Sequence, residues 1–105
     1  MDKIKIEICC GSAGDVLAAA GAGADRVELN SALFLGGLTP SLGALELART
    51  AQVELMAMVR PREGGFCYTQ EEFCTMLLDA RRLLDAGADG IVFGFLHEDG
   101  TVDVR

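Results

Sequence analysis

The stretch AGADRVEL (residues 22–29) returns near the other end of the chain as AGADGIVF (residues 86–93). Each copy reads as the last turn of a helix, a glycine cap (Gly23, Gly87) and the start of a strand. Working outward, IKIEIC (4–9) alternates strictly, with Ile4, Ile6 and Ile8 on one face and Lys5, Glu7 and Cys9 on the other. Ser12 and Asp15 make a capping-box-like pair before a helix over 13–21. The strand over 25–30 puts Val27 and Leu29 on one face, Glu28 and Asn30 on the other. Thr39 and Pro40 read as the N-cap and first position of a second helix carrying Leu42, Leu45 and Arg49. VELMAMVR (53–60) is a third strand, with Leu55, Ala57 and Val59 opposite Met56, Met58 and Arg60. Thr69 and Glu72 form a capping box ahead of Phe73, Met76, Leu77, Ala80, Leu83 and Leu84 at helical spacing. GIVFGFL (90–96) is a continuous apolar run, expected as a strand buried on both faces.

The order βαβαβαβ predicts an α/β fold with a parallel sheet and right-handed crossovers. Polar side chains gather toward the C-terminal ends of the first three strands, where a (β/α)8 barrel opens its active-site mouth. Such a barrel takes about 250 residues, whereas this chain has 105. The reading is therefore a single domain over 1–105 with the strands and helices for half of a TIM barrel at most. Three arrangements remain open: a truncated chain, a half-barrel completed by a second copy, or a small open sheet. The first and fourth strands would be apolar edges, so self-association into a homo-oligomer is expected.

Half of the residues are hydrophobic and the formal charge is −7, which argues for a packed aliphatic core and against nucleic-acid partners. No stretch resembles a signal peptide or a membrane span, so a cytoplasmic protein without membrane attachment is expected. Cys9, Cys10, Cys67 and Cys74 are then thiols, and with one histidine and no CxxC pair a structural zinc site is not expected.

LMAMVRPREGGF (55–66) carries an apolar strand straight into Arg60, Pro61, Arg62 and a Gly-Gly pair. A guanidinium leaving a buried strand needs a carboxylate or a bound anion. Glu7 and Glu28 are placed to meet Arg60 from neighbouring strands, as an ion-pair network or as a catalytic trio acting on a small anionic metabolite. Arg62, Gly64 and Gly65 lie on the loop above the mouth, and Thr39 heads a helix whose N–H groups favour an anion. HEDG (97–100) reads as a solvated turn.

IEICC (6–10), AGADRVEL (22–29), GGLTPSLGAL (36–45), VRPREGGFCYT (59–69) and AGADGIVFGFLHEDGTVD (86–103) together resemble the CutC copper-homeostasis family. The resemblance implies a TIM barrel of which this chain covers the N-terminal half, a cytoplasmic oligomer, and Cu(I) as the bound metal. Cu(I) prefers thiolate and thioether ligands. Cys9 is the leading candidate, with Cys10, Cys67 and Met58 as further sulfur. Many relatives carry a second cysteine where this chain has Asn30, and an amide is a poor Cu(I) ligand.

Overall fold

Alternation of apolar and polar residues makes strands with one oily face, and capped 3.6-residue periodicity makes the helices that cover it. The computed structural model describes residues 3–104. Its elements are β1 (Glu7–Cys10), α1 (Ala13–Gly21), β2 (Arg26–Leu29), α2 (Leu42–Ala48), β3 (Glu54–Met58), α3 (Gln70–Asp85) and β4 (Gly90–Val92), with 3-10 turns at Leu33–Leu35 and Arg49–Ala51. All four strands are parallel in the order β1-β2-β3-β4.

The helices pack side by side against one face of the sheet. Val27 and Leu29 of β2, Leu55 and Ala57 of β3 with Val59 just beyond it, and Cys10 of β1 meet Val16, Leu45, Met76 and Leu83 in one core. The other face carries Glu7, Cys9, Glu28, Met56 and Met58, so the strand parity read from the sequence holds.

Caps fix the helix starts. Ser12 accepts from Asp15 N–H, and Thr69 and Glu72 close a reciprocal capping box on α3. The second helix differs from expectation: its N-cap is Ser41, not Thr39. The reason is that Thr39 is already engaged. Its hydroxyl accepts from Arg60 N–H (2.9 Å) and donates to Arg60 C=O (3.1 Å), tying the β2–α2 loop to the end of β3. Gly87, at φ 110°, allows the chain to leave α3 in a left-handed turn that enters β4.

The fourth strand also differs. It is three residues long and only half-buried, and Phe93 just beyond it is 56% exposed. At the other edge Ile6 is 57% exposed. Both edges lie open, so runs that would be covered in a closed barrel meet solvent here. Among the described residues no helix is long and apolar enough to cross a membrane.

Candidate functional site

Register decides which polar side chains meet on the face away from the helices. Glu7 pairs with Arg26 and Arg26 with Glu54; one step further, Cys9, Glu28, Met56 and Gly90 lie in a row across all four strands. In the first row Arg26 is ion-paired to Glu7 through Nε and to Glu54 through Nη1 at 3.5 Å. Glu7 therefore pairs with Arg26, not Arg60. Arg26 has the same parity as Glu28, a signal present in the sequence and overlooked.

In the second row the Cys9 thiol lies 3.9 Å from Glu28 Oε1, and Asn30 Nδ2 lies 3.3 Å from Cys9 Sγ. Although the residue is exposed, partial desolvation of its sulfur on the sheet face pushes the Cys9 thiol up, and the Glu28 and then the Glu7 carboxylate add to the shift. Asn30 is 2% exposed and donates to Glu28 C=O (3.2 Å), Glu28 Oε1 (3.2 Å) and Cys10 C=O (3.4 Å). Its Oδ1 leaves no room for a Cβ at Gly37, which adopts φ 92°. Cys10 faces the core on the opposite side of β1, with its thiol toward Ile8 C=O. Met56 lies across Gly90, toward β4 and away from Cys9.

Arg60 stands four residues past Met56, the partner of Glu28, which is about 13 Å along the strand. That offset is why Glu28 does not pair with it. Arg60 instead donates to the carbonyls of Gly64 (2.8 Å) and Leu35 (3.4 Å) and stacks on Phe66 at 5.0 Å. Its Nε is buried without a hydrogen-bond partner among the described residues, as is the hydroxyl of Tyr68. Arg60 walls a hollow of about 510 Å³ with Met58, Phe66, Phe93 and Phe95. Burial raises the Tyr68 phenol pKa, and the charges of Arg60 and Arg62 pull it part-way back, Arg60 also by its closeness to the phenol oxygen, although the two do not meet in good hydrogen-bond geometry.

Arg62 is fully occupied. It grips Glu72 through Nε (2.6 Å) and Nη2 (3.3 Å), lies 4.7 Å over the Tyr68 ring, and holds the Gly65 and Cys67 carbonyls. Gly64 and Gly65 thus present carbonyls to arginines. Cys67 is exposed on the same loop, beside a hollow of about 310 Å³ that also holds His97 and Asp103. The three proposed sulfur positions, Cys9, Cys10 and Cys67, do not converge: among the described residues no three His, Cys, Asp or Glu side chains group as a metal site.

Comparison with known proteins fixes what this frame belongs to. The model of the CutC family matches residues 4–105. The chain belongs to the CutC family. CutC of Treponema denticola is 59% identical over 106 residues, covering all of this chain and 43% of that protein. The Drosophila melanogaster protein named copper homeostasis protein cutC homolog is 46% identical over 103 residues, with 96% and 39% covered. A crystal structure of CutC from Streptococcus agalactiae superposes with a TM-score of 0.89 at 31% identity, covering 96% of this chain and 50% of that one. The chain thus spans about two fifths of the length of these curated relatives and half of the solved one. The fold is half of the TIM-barrel-like CutC fold.

Proposed function

We propose that this CutC chain serves copper homeostasis in the cytoplasm by binding Cu(I), with Cys9 as its inward-facing sulfur ligand. The observation that carries the reading is family membership over residues 4–105, with a relative named for copper homeostasis. Cys9 is exposed on the polar face of the sheet, and Glu28 beside it is placed to receive the thiol proton as a Cu–S bond forms. Among the described residues no second sulfur adjoins it, because Cys10 faces the core and Met56 leans toward β4. The second ligand would come from outside these four strands. An anaerobic Cu(I) titration against a chromophoric chelator tests this. Cys9→Ser should weaken binding at least tenfold; unchanged binding would refute the role of Cys9.

A second reading is supported by Arg60, whose guanidinium has no carboxylate partner and whose Nε–H is buried and unpaired among the described residues. A small carboxylate or phosphate with an apolar body suits a hollow walled by Phe66, Phe93 and Phe95. Benzoate titrated calorimetrically into wild type and Arg60→Met would separate a real site from none.

The reading also includes self-association. Ile6 and Ile8 at one edge and Phe93 at the other are exposed, as are Leu77 and Leu84 of α3. Light scattering showing a monomer at micromolar concentration would overturn it.

A further inference from the structure

We propose that Cys67 and His97 form a second, two-ligand Cu(I) site on the rim at the C-terminal end of β3 and β4; this rests on the copper reading above. The site is built by main-chain bonds that the sequence gives no hint of. Leu96 N–H donates to Phe66 C=O at 2.9 Å, pinning the segment after β4 to the β3–α3 loop. Cys67 and His97 are the next residues along the two segments. Both line one hollow of about 310 Å³.

The segment after β4 then folds back on itself. Leu96 bridges Val102 in antiparallel fashion, His97 N–H donates to Thr101 C=O (2.8 Å), and Asp103 N–H donates to Phe95 C=O (3.0 Å). The turn between them is closed by Gly100 N–H on His97 C=O (2.9 Å). This hairpin returns the Asp103 carboxylate to within 4.0 Å of His97 Nδ1, with the aspartate side chain 10% exposed and the histidine 53% exposed. At that separation the carboxylate is beyond hydrogen-bond distance, but it lies on the Nδ1 side of the ring, and the other nitrogen, Nε2, is the one left for a metal.

The Cys67 backbone is held too. Its carbonyl accepts from Arg62 Nη2 at 3.0 Å, and Arg62 is itself locked onto Glu72. The thiol makes no hydrogen bond among the described residues and is exposed. Phe66, Tyr68, Phe73 and Phe95 supply the apolar wall of the hollow.

Ligand number and softness select the ion. A thiolate and an imidazole meet the needs of Cu(I), which accepts two ligands. Zinc needs four, and no three metal-binding side chains group here among the described residues. On binding, the Cys67 thiol proton leaves to solvent as the Cu–S bond forms, the imidazole donates a lone pair, and the metal stays Cu(I). No electron is transferred. Cys9 lies on the opposite edge strand of the sheet, so the two sites are independent.

The test is an anaerobic Cu(I) titration of wild type, Cys9→Ser, Cys67→Ser and His97→Gln, with circular dichroism to verify folding. X-ray absorption is then recorded on Cys9→Ser carrying one Cu(I). Both altered rim side chains are exposed, so the variants should fold. Cys9→Ser should retain one Cu(I), bound by one sulfur and one nitrogen. Adding Cys67→Ser or His97→Gln to it should weaken that binding at least tenfold. If Cys67→Ser and His97→Gln bind as wild type while Cys9→Ser loses copper, the rim site is overturned and the Cys9 reading stands. If only the rim variants lose copper, the rim site stands and Cys9 falls. An absorption spectrum with sulfur neighbours alone also overturns the rim site.

Discussion

Replacing Asn30 by aspartate and by alanine separates hydrogen bonding from charge at the most buried polar side chain of the site. Asn30 is 2% exposed and its amide reaches two main-chain carbonyls, the Glu28 carboxylate and the Cys9 sulfur. Alanine removes these bonds and leaves a small cavity. Cys10 C=O keeps the Asn30 N–H at 2.8 Å, so only part of the pairing is lost, and the cost should be about 2–3 kcal/mol. Aspartate keeps the shape but has no N–H to offer the same acceptors, and it adds a charge facing Glu28. A buried, unpaired charge costs about 3–5 kcal/mol, so at pH 7 aspartate should be worse than alanine. Burial and Glu28 would raise the folded pKa of the new carboxyl above its unfolded value of about 3.9. Its folded form is then favoured below that value, and stability is lost as the pH rises. Urea unfolding followed by far-ultraviolet circular dichroism should therefore show the aspartate deficit against wild type shrinking from pH 7 to pH 4. Equal loss in the two variants at pH 7, or a deficit that does not change with pH, would refute this account of Asn30.

Three further outcomes are expected. Thr69 N–H and then Arg62 hold the Glu72 carboxyl below the usual carboxylate range, so its contribution is present above the unfolded pKa of about 4.3 and lost as the pH falls through the lower folded value. Glu72→Gln should lower the melting temperature at pH 7 and flatten its decline between pH 5 and pH 3; an unchanged slope would refute the assignment. Gly36 adopts φ 92°, and a Cβ there would sit 2.6 Å from Arg60 Nη1, so Gly36→Ala should destabilise by about 1–3 kcal/mol in urea unfolding. Gly43 is ordinary helix in α2 with nothing nearer than Ser41 Oγ at 4.0 Å, so Gly43→Ala should stabilise by about 0.5–1 kcal/mol.

The strand parities, the capping box at Thr69 and the glycine exits at Gly23 and Gly87 were legible because each rests on neighbours in sequence. What failed was everything that depends on register between strands. Glu7, Glu28 and Arg60 do share a face, yet parity says nothing about height along the barrel. In the observed pairing Glu28 stands opposite Met56 and Glu7 opposite Arg26, so Arg60 rises above both. Thr39 was misassigned for a related reason. A threonine before a proline is a good cap in isolation, but here the Arg60 main chain offers it two hydrogen bonds across the loop. HEDG does form the exposed turn expected of it; what stayed hidden is the bridge from Leu96 to Val102 that returns Asp103 to His97, which only the folded chain reveals.

The two faces of the sheet set different demands on whatever completes it. The seams are apolar on the helix side: a groove of about 220 Å³ runs between Ile6, Ile8 and Ala19 at one edge, and one of about 170 Å³ between Ile91, Phe93 and Leu77 at the other. Burial there is favourable at about 25 cal/mol per Å² and needs no particular chemistry. The polar face is the reverse. Arg26 and Lys5 between them balance Glu7 and Glu54, whereas the Arg60 guanidinium has no carboxylate partner among the described residues and the Cys9 thiol is uncharged. The ion pairs form the lowest row, Cys9 lies one row above them, and Arg60 stands about 13 Å higher, past the end of β3. A facing wall would therefore gain its adhesion from the seams and the lowest row, and leave the Cys9 thiol above it, and the Arg60 cation higher still, to ligands. This division matches the general plan of a barrel, in which stability is built at one end and chemistry at the other.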